Sequence, residues 1–140
     1  MANYYCTYRT NYFKVTDENA FRVAMAKVDA SDFDLWEERQ KDGTLVFGFG
    51  GTGGIGGLPN ENGEYDDDSF DQFIDTIQRY IAPDDACLLF ESGSEGLRYV
   101  VGSVNVITNK SCEVKEIRSI GIELARKMLG NEKYDTRCEY

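Results

Sequence analysis

The sequence predicts a single α+β domain over residues 1–140, with a mainly antiparallel sheet, three helices and a broadly ferredoxin-like arrangement. A chain of 140 residues that is 41% hydrophobic is long enough to bury one core. Segments of alternating apolar residues are interspersed with segments of helical spacing. Several strands follow one another without a helix between them, which disfavours a parallel doubly wound sheet. The predicted order is β-α-β-β-α-β-β-β-α.

The first half of the chain contains one helix and three strands. Residues 4–15 are rich in aromatic and β-branched residues and contain no Gly or Pro, which predicts a strand. Residues 16–18 (TDE) supply an N-cap and an acidic first turn for a helix over 17–28. Segments 33–39 and 44–50 flank a polar turn and are expected to form a hairpin.

The second half contains two helices and three strands. An S-x-x-Q capping box begins a helix over 69–81, whose apolar residues recur at helical spacing. Strands are predicted at 86–91, 97–108 and 112–117, and a final helix at 119–129. The apolar side chains of that helix, which we expect to face inward, are Ile120, Leu124, Met128 and Leu129.

The stretch FGFGGTGGIGGLP (47–59) contains seven glycines and the spacing G-x-G-x-x-G. A dinucleotide site needs a helix directly after such glycines, whereas this run leads into Pro59 and a polar, acidic segment. No Lys or Arg lies between Lys41 and Arg79, and no G-K-[ST] follows. We therefore predict no nucleotide site and no cofactor, and a glycine-rich and acidic loop at about 50–68. Whether the run is a strand or a binding flap is left open. The glycines predicted to form a flexible loop are Gly50, Gly51, Gly53, Gly54, Gly56 and Gly57.

The net charge of −10 is concentrated in one segment. Residues 60–85 carry nine acidic residues and one basic residue, a net charge of −8, and residues 86–140 are balanced. This distribution disfavours binding to nucleic acid or to an anionic membrane and favours a basic protein partner, such as a nucleic-acid-binding enzyme. The consecutive Asp66–Asp68 lack the alternating spacing of a calcium loop, so we predict no metal site. The predicted partner-binding residues are Glu61, Glu64, Asp66, Asp67, Asp68, Asp71 and Asp75.

The chain has no histidine, which removes the commonest general base and the usual Ser-His and Cys-His pairs. Its four cysteines are far apart in sequence and form no C-x-x-C pair, so we expect reduced thiols and no zinc ribbon. An enzyme would have to rely on Cys6 or on carboxylates without a recognisable spacing, and we predict a non-enzyme. The opening residues MANYYCTYRT do not have the pattern of a secretory signal, which favours a cytoplasmic protein.

Two stretches, RTNYFKVTDENAF (9–21) and EGLRYVVG (95–102), resemble small acidic proteins carried on plasmids, phages and conjugative elements of Gram-positive bacteria. The resemblance implies a cytoplasmic accessory protein. Some acidic proteins of this kind, the antirestriction and anti-CRISPR inhibitors, present carboxylates where DNA phosphates would lie. The sequence is compatible with three functions. These are such a nucleic-acid-mimicking inhibitor, an immunity protein against a bacterial toxin, and a small-molecule- or ion-binding module that uses the glycine run as a flap.

Overall fold

A computed structural model describes residues 4–139, which form a six-stranded antiparallel sheet, a two-stranded ribbon and three helices. Residues 1–3 and 140 of the predicted domain lie outside the described residues. The strands are β1 (Tyr5–Thr10), β2 (Asp29–Ala30), β3 (Asp34–Arg39), β4 (Leu45–Thr52), β5 (Ile55–Gly57), β6 (Cys87–Glu95), β7 (Tyr99–Ile107) and β8 (Cys112–Glu116). The helices are α1 (Glu18–Met25), α2 (Ser69–Tyr80) and α3 (Ile117–Leu129).

The large sheet has the strand order β3-β4-β1-β6-β7-β8, and β2 pairs with β5 in the separate ribbon. The N-terminal strand β1 is therefore central, between β4 and β6, and antiparallel to both. The predicted α+β class and the predicted order of helices and strands are confirmed. The short strands β2 and β5 are additions to that order.

The core lies on one face of the sheet, which we call the inner face, beneath α1 and α2. Phe47 and Phe49 of β4 are fully buried, as are Phe21 of α1 and Phe73 of α2. Their rings meet edge to face, with centroids 5.1 Å apart for Phe21 and Phe47 and 5.5 Å apart for Phe49 and Phe73. The other face, called the outer face, includes Arg9, whose guanidinium lies 5.2 Å from the ring centroid of Trp36.

An aspartate precedes each inner-face helix at the N-cap position, but the two caps differ. Asp17 precedes α1, and its side chain accepts a hydrogen bond from the backbone N–H of Ala20 at 3.0 Å. Asp68 precedes α2 without a side-chain cap. The capping box predicted for α2 is wrong, because the Ser69 hydroxyl instead accepts the backbone N–H of Asp66 at 2.8 Å.

Strand β6 continues beyond its predicted end at residue 91 as far as Glu95. The small polar residues 92–94 pair with β1 on one side and with β7 on the other. Backbone pairing to two neighbours thus holds this segment extended without an apolar pattern of its own.

Helix α3 departs from the prediction that its apolar side chains face inward. None of its residues is buried, and Leu124, Met128 and Leu129 are exposed. The helix follows β8 directly and contacts β7 and β8 on the outer face, opposite the face that α1 and α2 cover. Within residues 4–139 no helix is long and apolar enough to cross a membrane.

Candidate protein-binding surface

Most of the glycine run is β-structure rather than loop. Gly50 and Gly51 belong to β4 and pair with Arg9 and Tyr8 of β1, while Gly56 and Gly57 belong to β5. The loop prediction is therefore wrong for these four glycines. Gly53, with φ of +81°, and Gly54 form the short connection between the two strands, so the predicted loop is confined to them within the run.

Close backbone contact explains two of the glycines. A Cβ on Gly51 would lie 2.2 Å from the carbonyl oxygen of Asp32, and one on Gly57 would lie 2.0 Å from the carbonyl oxygen of Ser69. Only glycine allows such approaches, and Gly57 also has a φ of +124°. The glycine run thus allows β4 to lie against the backbone at Asp32 and β5 to lie against the first residue of α2.

The predicted acidic residues between β5 and α2 divide into one structural residue and several exposed ones. Asp66 accepts hydrogen bonds from Asn60 Nδ2 at 3.2 Å and from the backbone N–H of Asp68 at 2.9 Å, so both of its carboxylate oxygens are used within the loop. Asn60 also accepts the backbone N–H of Glu64 at 3.0 Å. The side chains of Glu61, Glu64 and Asp67 are exposed around this hydrogen-bonded turn.

The acidic residues of α2 form a stripe directly opposite its buried face. Ser69, Phe73 and Ile77 are buried against the core. Asp68, Asp71 and Asp75 follow one another at spacings of three and four, so they share the opposite, exposed side of the helix. We call Asp67, Asp68, Asp71 and Asp75 the acidic face. Within the described part of the chain none of these four carboxylates takes part in an ion pair.

Two aromatic side chains lie next to this surface, and no motif in the sequence marks them as part of a binding surface. Phe70 is 38% exposed although it belongs to α2, and Tyr65 is 49% exposed. The Tyr65 hydroxyl donates a hydrogen bond to the backbone carbonyl of Lys27, which ties the acidic loop to the end of α1. Exposed aromatic residues beside charged ones are typical anchors of protein interfaces.

The last acidic residues of the 60–85 segment lie at the other end of α2 and are already partnered. Asp84 forms an ion pair with the Lys14 ammonium at 2.6 Å, and Asp85 accepts the backbone N–H of Lys14 at 2.9 Å. The Lys14 ammonium accordingly lowers the pKa of Asp84. These two residues bind the N-terminal segment and do not extend the acidic face.

The alternative of a cysteine nucleophile has no support in the geometry around Cys6. The Cys6 side chain is buried, and this burial, followed by the nearby Glu91 carboxylate, raises the pKa of its thiol. Glu91 accepts a hydrogen bond from the Tyr4 hydroxyl at 2.7 Å. Since a thiol of raised pKa stays protonated near neutral pH, it is a poor nucleophile.

Comparison with known protein families, with curated proteins and with solved structures returned no match for this chain. The surface must therefore be interpreted from its own chemistry. It combines several unpaired carboxylates, two exposed aromatic rings and no Lys or Arg between residues 41 and 79. Such a surface attracts cations and cationic proteins by its field and can bind them through carboxylate–guanidinium pairs.

Proposed function

We propose that this protein is a non-enzymatic inhibitor whose acidic face occupies the nucleic-acid groove of a basic host protein, such as a defence nuclease. The observation that carries the proposal is the stripe of Asp68, Asp71 and Asp75 on the side of α2 opposite its buried side chains. These carboxylates are free to bind a partner without disturbing the core.

The spacing of the stripe supports mimicry of a nucleic-acid strand. Seven residues of an α-helix rise by about 10 Å. One strand of B-DNA carries a phosphate per roughly 3.4 Å of axis, or about three over that length. The stripe places three carboxylates over the same distance, and Asp67, Glu61 and Glu64 continue the negative surface into the loop.

The glycine run contributes to this function through its packing. Gly57 lies against the first turn of α2, and Leu58 donates its backbone N–H to the carbonyl oxygen of Ser69 at 2.9 Å. These contacts fix the N-terminal end of α2 against β5. A preorganised surface loses less conformational freedom on binding than a loose acidic arm would.

Affinity capture with matched variants tests the proposal. The wild-type protein, the face variant Asp71→Lys/Asp75→Lys and the control variant Glu38→Lys/Glu132→Lys are immobilised and exposed to bacterial lysate. Both variants change the net charge equally, but Glu38 and Glu132 lie outside the acidic face. We expect the wild type and the control to capture a basic protein, and we expect added duplex DNA to elute it. The face variant should not capture this protein. Equal capture by all three proteins would contradict the proposal.

A further inference from the structure

The outer face of the sheet carries an apolar groove that α3 flanks without filling. The groove has a volume of about 390 Å³ and is lined by Phe90 and Val104 of the sheet and by Ile117 and Ile120 of α3. Phe90, at the centre of the sheet, is 46% exposed. Apolar surface of this kind on a folded domain is typical of a binding site for another macromolecule.

Helix α3 itself has an apolar stripe that no other described element covers. Ile117, Ile120, Leu124 and Met128 recur at spacings of three and four and are 52%, 49%, 55% and 78% exposed. In α1 and α2 the residues at equivalent spacing are buried. An amphipathic helix of this length is normally stabilised by packing of its apolar face, so the exposed α3 stripe is a candidate contact surface for a partner.

Strand β8 is an edge strand whose free side is accessible. All five of its residues are exposed. The backbone N–H of Thr108 donates to the carbonyl of Ser111 at 2.8 Å and closes the β7–β8 hairpin, which fixes the alternation of hydrogen bonds along it. Glu113 and Lys115 therefore bond to β7, whereas Cys112 and Val114 direct their backbone N–H and C=O groups away from the sheet. Glu116 is the N-cap of α3, so its C=O belongs to the first turn of that helix.

The last two described residues lie away from this edge. Cys138 and Glu139 lie beside Tyr99–Gly102, beyond the end of β8, where they form a second cavity with the start of α3. The free backbone groups of β8 are thus a template for another strand.

We propose that a second copy of this chain covers the α3 stripe and the free edge of β8. The two β8 strands pair antiparallel about a two-fold axis at Val114. In this register Val114 forms a hydrogen-bonded pair with Val114 of the second copy. Glu113 lies opposite Lys115 of the second copy, and Lys115 lies opposite its Glu113. The edge is therefore self-complementary in charge, as an isologous dimer interface requires.

The overall charge and size of this region also fit a second copy. Residues 112–130 carry three acidic and four basic residues, so two copies do not repel here as two acidic faces would. Strand β8 supplies its 5 residues to each side of this interface, and the apolar stripe of α3 adds Ile117, Ile120, Leu124 and Met128. A two-fold axis normal to the sheet places both α3 stripes on the outer face of the joined sheet, where each can pack on the other copy.

The test is the molar mass of the purified protein in solution, measured by light scattering and sedimentation equilibrium over about a hundredfold range of concentration. We expect a species of twice the chain mass of 15.8 kDa. Val114→Pro removes a backbone N–H that points away from β7, so it leaves the hydrogen bonds between β7 and β8 intact. Lys115→Glu places a second negative charge opposite Glu113 of the second copy. Each should weaken the dimer at least about tenfold, and Glu113→Lys/Lys115→Glu should restore it.

A matched pair of variants tests the helix. Leu124→Glu on the α3 stripe should weaken the dimer, whereas Val23→Glu, at a 60% exposed apolar position of α1, should not. A monomeric wild type would overturn the proposal, as would a dimer that withstands Lys115→Glu and Leu124→Glu in folded protein. A dimer that the charge-swapped double variant fails to restore would overturn the assigned register. Binding of a different protein to α3 of a monomeric chain would likewise overturn it.

Discussion

Gly51 and Asp32 are in direct backbone contact: a Cβ atom on Gly51 would lie 2.2 Å from the carbonyl oxygen of Asp32. The same carbonyl accepts the hydroxyl of Tyr8, and the Asp32 carboxylate accepts the backbone N–H of Thr52 at 3.1 Å. Gly51 therefore allows the segment before β3 to lie across the end of β4. This contact gives the glycine run a structural role.

We expect Gly51→Ala to destabilise the protein by roughly 1–3 kcal/mol, because the added methyl group must displace backbone. Gly54→Ala is the control, since a Cβ there meets nothing within 4 Å. That variant should change the free energy of unfolding by less than about 0.5 kcal/mol. Urea unfolding of both variants measures the difference. Equal stability of the two would show that the run is not closely packed.

The two N-caps predict unequal effects of the same substitution. Asp17→Ala removes a side-chain hydrogen bond to the backbone of α1 and should cost about 1 kcal/mol. Asp68→Ala removes a residue whose side chain makes no such bond and should cost less. Thermal or urea unfolding of the two variants under identical conditions compares them. A larger loss for Asp68→Ala would contradict the assignment of the caps.

Asp71 and Asp75 are like charges one helical turn apart, and their repulsion opposes folding of α2, whereas Arg79 one turn beyond Asp75 attracts that carboxylate. In an Arg79→Gln background, which removes that attraction, Asp75→Asn should raise the free energy of unfolding by about 0.2–0.5 kcal/mol at low salt, and the gain should disappear at about 1 M NaCl. Glu38→Gln, which removes one charge from β3, is the control for net charge. If Asp75→Asn raises the free energy of unfolding by no more than Glu38→Gln does, repulsion between Asp71 and Asp75 does not measurably destabilise α2.

Because of Tyr8, the free energy of unfolding depends on pH in the alkaline range. Burial, followed by the carboxylates of Asp32 and Asp34, raises the pKa of Tyr8 to about 12. An unfolded tyrosine ionises near about pH 10, so from there upward the folded state binds the proton that the unfolded state has lost. The contribution of Tyr8 is thus complete below about pH 10 and is lost as the pH rises toward about 12.

Tyr8→Phe separates this titration from the hydrogen bond to Asp32. Urea unfolding at about pH 8 measures the loss of the bond, and the slope of stability against pH above about pH 10 measures the titration. We expect the variant to be less stable at neutral pH and to have a shallower alkaline slope than the wild type. An unchanged slope would show that Tyr8 ionises alike in the folded and unfolded states.

The sequence was sufficient for the elements that form one core, since α1, α2 and β3 follow their predicted bounds within a few residues. In each of these, apolar periodicity coincides with burial, as for Phe21 and Met25 of α1. The periodicity of α3 correctly predicted a helix but not what its apolar face contacts. Spacing along a helix reveals which residues share a face. It does not reveal whether the surface that covers this face belongs to the same chain.

The glycine run and the acidic segment were harder to predict because both depend on tertiary contacts. The close approaches of Gly51 to Asp32 and of Gly57 to Ser69 join segments distant in sequence, so no local pattern predicts them. Counting charges could not separate Asp66, which closes a turn, from Asp71 and Asp75, which face solvent. The helical spacing of the last two residues was the available signal for the acidic face.

Competition between this protein and duplex DNA for the captured basic partner tests whether the acidic face occupies the nucleic-acid groove. Labelled DNA bound to the partner is titrated with the wild-type protein, with Asp71→Lys/Asp75→Lys and with Glu38→Lys/Glu132→Lys. We expect the wild type and the control to displace the DNA completely at low salt and less effectively as the salt concentration rises, and we expect the face variant not to displace it. A ternary complex of partner, DNA and wild-type protein would contradict this expectation.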